Sequence, residues 1–250
     1  MTELTRDAFL GGRLHLWQPV NGYRAGVDPV LLAASVNARA GQAVLELGCG
    51  GGTAMLCLGK RVSGLDLTGV EVQERYAALA RRNAAEAGVA AAVVCADLRD
   101  LPPDVRQRQF DHVIMNPPYF DRARGKAAGD IGRDTGRGGP TPLADWIDVG
   151  IRRVAPRGFL TLIQQTGRLH DVLAALHGRL GSVVVQPLAA RADRAAHLVL
   201  VQARQGGRTP FALAAPLVMH DGPIHKHDAE NYTPLVRGIL RDGKKLPIGY

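Results

Sequence analysis

The feature that most narrows the possible folds is a succession of short apolar runs, each followed by a stretch with helical periodicity. Ala43–Leu47, residues 68–72, Ala91–Cys95, Phe110–Met115 and residues 159–163 are too short for buried helices and read as strands covered on both faces. Between them, Tyr76, Leu79, Ala80 and Asn83 share one helical face that Gly88 closes. Leu169, Val172, Leu173, Leu176 and Leu180 form a second stripe. Thr141-Pro142 opens a third helix, whose apolar face is Leu143, Trp146, Ile147, Ile151 and Val154. Such alternation predicts an α/β, Rossmann-like fold: a mostly parallel sheet with helices on both faces and right-handed crossovers. The last two strands, 182–186 and 197–202, have only a polar segment between them and predict an antiparallel hairpin at one edge. One more apolar piece, 211–219, and a short helix over 232–240 complete the chain.

At 250 residues the chain is long enough for one well-cored domain with a small appendage. We divide it into an amino-terminal arm with a helix, 1–40, and a main α/β domain, 41–250. In the arm, Asp28 is expected as N-cap and Pro29 as the first helical residue. No run approaches the length of a membrane span, and the start lacks signal-peptide character. Cys49, Cys57 and Cys95 have no metal-type spacing and read as reduced thiols of a cytoplasmic protein. His220, His225 and His227 lie in a polar segment without cysteines or a helical His pair, so no metal site is expected. Oligomeric state is not fixed by the sequence, and a monomer is compatible with it. The formal net charge of +8 favours a polyanionic partner such as RNA, although arginine-rich composition alone produces the same sign.

Chemistry concentrates at strand ends. After the first of the five strands comes Glu46-Leu-Gly48-Cys49-Gly50-Gly-Gly52-Thr53, where glycines let the backbone approach a ligand. A dinucleotide site is the first competitor, but its Gly-x-Gly-x-x-Gly spacing requires glycine at position 53, which is Thr53. A carboxylate just before the first glycine suits a cationic ligand, such as the sulfonium and ammonium of S-adenosylmethionine. Cys49 is the small residue that this loop needs, with no nucleophilic role. Glu71 ends the next strand, beside Val72, where a carboxylate can accept hydrogen bonds from ribose hydroxyls. Asp97-Leu98 follows the third strand; Asp97 can accept from an adenine amino group while Leu98 packs on the ring, and a simple helix cap is the other reading of Asp97. Together these positions read as a pocket for S-adenosyl-L-methionine.

The fourth strand runs into Asn116-Pro117-Pro118-Tyr119. Pro117 cannot donate to a ladder, so the strand must end there. These residues, with the donor positions, resemble the class I S-adenosylmethionine-dependent methyltransferases. The resemblance implies a seven-stranded sheet whose last strand is antiparallel, and it restricts the acceptor to an amide or amine conjugated with a π system. Asn116 and the Pro117 carbonyl would accept the two hydrogens of an adenine N6 amine and favour its pyramidal, attacking form, while Tyr119 would stack on the purine.

Within that class, the stretch from Phe9 to Pro19, then Gly22-Tyr23-Arg24-Ala25-Gly26-Val27-Asp28, is similar to bacterial tRNA1(Val) (adenine-37-N6)-methyltransferases. So are Asn116–Tyr119 with Phe120, and Leu143-x-x-Trp146-Ile147. The resemblance implies that residues 24–28, with Arg24, Gly26 and Asp28, close over the methionine end of the cofactor, and that the substrate is an anticodon loop. Arg122, Arg124, Lys126, Arg133 and Arg137 follow the acceptor motif and read either as a phosphate grip or as a solvated insertion. Arg191, Arg194, Lys226, Arg241, Lys244 and Lys245 extend a basic surface or are scattered charges. The competing substrates are a release-factor glutamine, whose enzymes carry a separate amino-terminal helical domain, and a ribosomal RNA guanine N2. Trp17 and Trp146 read as packing residues, with Trp17 also placed to line the pocket mouth.

Overall fold

The computed structural model describes residues 3–119, 141–222 and 231–248. The chain opens with an antiparallel hairpin, β1 (Leu4–Phe9) and β2 (Leu14–Pro19), paired from Leu4↔Pro19 to Phe9↔Leu14. Helix α1 (Asp28–Ser35) then leads to the central strand β3 (Ala43–Leu47) and to α2 (Thr53–Arg61). Next come β4 (Asp66–Glu71), α3 (Glu74–Ala87), β5 (Ala91–Cys95), the short α4 (Pro103–Arg106) and β6 (Phe110–Met115). Beyond the acceptor motif follow α5 (Leu143–Arg153), β7 (Val154–Gln165), α6 (Leu169–Leu176), β8 (Gly181–Ala189) and β9 (Leu198–Arg204). Two-residue strands β10 (Ala212–Leu213) and β11 (Leu217–Val218), then α7 (Pro234–Asp242), end the described chain.

The main sheet is ordered β5-β4-β3-β6-β7-β9-β8, with β10 and β11 both laid along β8. Strands β5 through β7 are parallel, and β9 runs antiparallel to both of its neighbours, as the missing helix between the last two strands predicts. Among the described residues the sheet therefore has nine strands where the family resemblance implies seven; the extra pair are β10 and β11, each pairing with β8 over two residues. Such short pairings leave no periodic signal in a sequence.

Period-two alternation decides which layer each strand residue joins. Val44, Ile114, Ile163 and Leu200 bury against α1, α2, α7 and the hairpin. Leu45, Leu47, Val113, Met115, Leu160, Leu162, Val199 and Val201 bury against α5 and α6. Both faces thus bury mostly apolar residues, which is why these strands read as near-continuous apolar runs. Two expectations need correction. Val154 is not the end of the α5 stripe but the first residue of β7, paired with Phe110. Asp28 is the first residue of α1, with Val27 as its N-cap and no side-chain capping bond.

The chain moves outward from β3 through β4 to β5, then returns to place β6 on the other side of β3. Ligands of open α/β sheets bind at the carboxyl ends of the strands flanking such a reversal. Both the glycine loop after β3 and the Asn-Pro-Pro-Tyr motif after β6 stand there.

Candidate active site

The glycine loop owes its shape to left-handed backbone. Gly48, Gly50 and Gly52 have φ of +66°, +52° and +86°, a conformation that side chains disfavour. Gly48 also has a steric reason: a Cβ there would stand 2.7 Å from Trp146 Cζ3 of α5. Trp146 is therefore a packing residue, wedged under the loop and 9% exposed. Cys49 is buried, its Sγ turned toward the bare Cα of Gly69 on β4. Burial foremost, then the charges of Glu46 and Glu71, push its thiol well up, so it stays a neutral filler.

Glu46 and Glu71 lie on neighbouring strands and face the same layer, since Glu46 pairs with Gly69 and side chains alternate. Glu46 Oε2 accepts from Met55 N at 2.9 Å in the first turn of α2, and the residue is 3% exposed. Burial pushes its carboxyl up to about 8, against the pull of the Met55 N–H, with Glu71 adding a smaller push. Glu71 accepts from Gly50 N and Gln73 N, both at 2.9 Å, and fixes the loop to the end of β4. Burial raises its pKa also, opposed by those backbone donors. Two buried carboxylates held above their ordinary range form a place where an added positive charge is stabilised. That chemistry fits a sulfonium with an ammonium group.

Val72, next along from Glu71, exposes 48% of its surface at the strand end, as a wall for an apolar ring does. Asp97 caps the following turn by accepting from Arg99 N at 2.9 Å, and Arg99 Nη2 pairs with its Oδ2 at 2.6 Å. The Arg99 hydrogen bonds hold the Asp97 carboxyl below its usual range, so it stays an ionised acceptor. The capping alternative for Asp97 is thus realised, although a carboxylate has lone pairs for a further donor. Leu98 is 7% exposed and belongs to the core under α5 rather than to an open surface.

On the acceptor side, Asn116 is half-buried, Pro117 buried, Pro118 exposed and Tyr119 half-buried. Tyr119 Oη donates to Asp28 Oδ2 at 2.7 Å, which ties the motif to the start of α1. The arm before Asp28 also runs past the glycine loop: a Cβ on Gly50 would stand 3.6 Å from the Tyr23 ring. Tyr23 N donates to Tyr76 Oη of α3 at 2.7 Å. Gly26 has open space around its Cα. Arg24 is spent elsewhere: its guanidinium donates to Thr5 Oγ1, Pro19 O and Asp7 Oδ2 and so fastens the arm to the hairpin.

Asn83 is a site residue that pattern reading placed only on a helix face. Its Nδ2 donates to Trp17 O and Gly51 O, at 3.1 and 2.9 Å, and its Oδ1 accepts from Trp17 N at 2.8 Å. One buried amide thus joins the hairpin, α3 and the glycine loop; the available signal was an asparagine on an otherwise apolar face. Trp17 packs on α3, with Nε1 donating to Glu86 and Arg82 over its ring. Arg191 is 7% exposed and donates to the carbonyls of Asp221 and Gly222, so it is a buried clamp rather than part of a basic surface. His220 stacks on Tyr232 and bonds Asn231. Phe120, the arginine-rich segment 121–140, His225, Lys226 and His227 lie outside the described residues.

The strand order, the reversed β9 and the strand-end glycine loop and carboxylates define a class I methyltransferase, whose methyl donor is S-adenosylmethionine. The methyltransferase domain family matches residues 44–139. The chain is 29% identical over 201 residues to a tRNA1(Val) (adenine(37)-N6)-methyltransferase of Shewanella baltica, covering 77% of this chain and 82% of that one. The protein of the same description from Dickeya chrysanthemi is 27% identical over 228 residues, 88% of this chain and 87% of its own. Among solved structures, a predicted O-methyltransferase from Agrobacterium tumefaciens superposes with a TM-score of 0.70 at 26% identity, covering 88% and 98% of the two chains. The Thermus thermophilus 16S rRNA N2 G1207 methyltransferase, in complex with AdoMet and guanosine, shares the fold alone, with a TM-score of 0.58 at 17% identity over 81% and 50%. No helix among the described residues is long and apolar enough to cross a membrane.

Proposed function

We propose that this methyltransferase acts on the N6 amine of an adenine in tRNA, the adenine beside the anticodon of tRNA1(Val) being the leading substrate. The observation that carries this reading is the position of Asn116-Pro117-Pro118-Tyr119 at the end of β6, across the chain reversal from the glycine loop. An N6 amine is a poor nucleophile because its lone pair is delocalised into the ring. The Asn116 side-chain oxygen and the Pro117 carbonyl accept its two hydrogens and favour the pyramidal nitrogen, so their bonds strengthen toward the transition state. Tyr119 offers the stacking face, worth about 1–3 kcal/mol per base.

On the donor side, Glu46, Gly48, Cys49 and Gly50 line the methionine end, and Glu71 accepts from the ribose. Val72 and Asp97 would border the adenine, with Asp97 as acceptor, and Leu98 would support that wall from the core beneath it. Gly26 and Asp28 belong to the arm that borders the site. The bound cofactor supplies a sulfonium methyl as electrophile. The chain's own work is positioning in line, and the amine proton passes to water after attack. Support for the substrate comes from the curated relatives, which are described as tRNA1(Val) adenine(37) enzymes, and from the formal charge of +8, which suits a polyanion.

Nucleoside mass spectrometry of tRNA from cells with and without the gene tests this reading. Loss of N6-methyladenosine from one tRNA species is expected. Unchanged tRNA together with loss of methylglutamine from a release factor would move the assignment to the protein substrate. Charge reversal at Arg122, Arg124 and Lys126 is expected to weaken tRNA binding and flatten its salt dependence.

A further inference from the structure

Asp28 and Tyr119 are 91 positions apart in sequence, yet their side chains meet at 2.7 Å. Asp28 is the first residue of α1, and its carboxylate accepts from across the site rather than from a neighbour in sequence. Burial first, and then the Asp28 hydrogen bond, push the Tyr119 phenol far above its ordinary range, so it stays a neutral donor. Stacking on a base needs only the ring, and phenylalanine would stack as well. What the hydroxyl adds is an anchor point that fixes the ring plane.

The anchor is itself held. Residues 20–27 form a strap from the hairpin to α1, fastened along its length. Val20 N donates to Glu3 O at 2.9 Å, and Ala25 N to Gln18 Oε1 at 2.7 Å. Tyr23 N bonds Tyr76 on α3, and Arg24 bonds Thr5, Asp7 and Pro19. A carboxylate at the end of such a strap is placed before any substrate arrives, and the ring ordering is then already met when a base binds.

We propose that Asp28 is a positioning residue for the acceptor base: by accepting the Tyr119 hydroxyl it sets the ring on which the base stacks, and it acts through Tyr119 rather than through the cofactor. This rests on the acceptor reading of Asn116–Tyr119 above. The role is separable from cofactor closure, because the two make opposite statements about what Asp28 does once the hydroxyl is gone.

The test is a double-mutant cycle with Asp28→Ala, Tyr119→Phe and the double variant. Steady-state methyl transfer from labelled S-adenosylmethionine to total tRNA of a strain lacking the gene is measured, with cofactor affinity by calorimetry and unfolding midpoints alongside. Each single variant is expected to raise KM for tRNA about tenfold, the scale of one lost charge-assisted hydrogen bond, and to leave cofactor affinity unchanged. The double variant is expected to be no worse than either single one. Asp28→Asn, which keeps an oxygen acceptor, is expected to recover most of the loss. Additive KM losses, or weaker cofactor binding on adding Asp28→Ala to Tyr119→Phe, overturn the proposal. A wild type inert on tRNA overturns the substrate reading instead; the unfolding cycle then decides the bond, and additivity there overturns it.

Discussion

Asn116 follows the last paired residue of β6, and its half-buried amide leaves the sheet at the point where Pro117 forbids further pairing. Asn116→Ala keeps that backbone and removes one acceptor for the amine. A fall in kcat of about a hundred- to a thousandfold is expected, the range seen when one group stabilising developing charge is deleted. Cofactor affinity measured by calorimetry is expected to stay near wild type, and near-normal kcat would defeat the acceptor reading. Gly48 poses a different residue-scale question, because its φ of +66° and the Trp146 ring both exclude a Cβ. Gly48→Ala is expected to cost about 2–4 kcal/mol of stability, from the left-handed backbone and the overpacked contact together. Denaturant unfolding checks this; an alanine variant as stable as wild type would mean that Trp146 swings aside freely.

Elements meet at Asn83, whose single amide bonds the hairpin through Trp17 and the glycine loop through Gly51. Asn83→Ala removes all three bonds and strips half-buried backbone groups of Trp17 and Gly51 of these partners, for an expected loss of about 3 kcal/mol. Cofactor affinity should fall with it, since Gly51 is released; calorimetry that finds binding intact would show that the loop holds its shape without α3. The central strands were legible because both faces are buried, so Phe110–Met115 and its neighbours are mainly apolar, with few polar interruptions such as Asp111 and His112. The αL cap at Gly88 was legible for a local reason, its φ of +62°. The hairpin was not, since β1 carries Thr5, Arg6 and Asp7 in mid-strand, and Asp7 is held by Gln18 of β2 and Arg24 of the strap, which lie further along the chain. At the candidate site, the placement of Glu46, Glu71 and Asn116–Tyr119 at strand ends was readable from the apolar runs that lead into them. The bonds of Arg24 to Asp7 and of Tyr119 to Asp28 join segments distant in sequence, which no local pattern encodes.

At the scale of the whole molecule, the buried carboxylates link stability, pH and cofactor. An unfolded Glu46 releases its proton near 4.5, whereas the folded one, desolvated in the site, holds it up to about 8. The folded state thus binds the extra proton in that window, and stability falls as pH rises through it, by up to about 1.4 kcal/mol per pH unit. Below pH 4.5 the group is protonated in both states and the slope from it vanishes. Glu71 is shifted in the same direction and adds to the decline. Glu46→Gln keeps an acceptor for Met55 N and cannot ionise, so it is expected to flatten the fall of the unfolding midpoint between neutral pH and pH 8. Binding of a cation beside these carboxylates favours their ionised forms. Cofactor binding at neutral pH is therefore expected to release protons and to tighten as pH rises. Calorimetry in buffers of different ionisation enthalpy reads that release directly, and Glu46→Gln should diminish it. A wild type that releases no proton would mean that Glu46 keeps its proton in the complex and serves α2 alone, leaving the positive charge of the cofactor to Glu71.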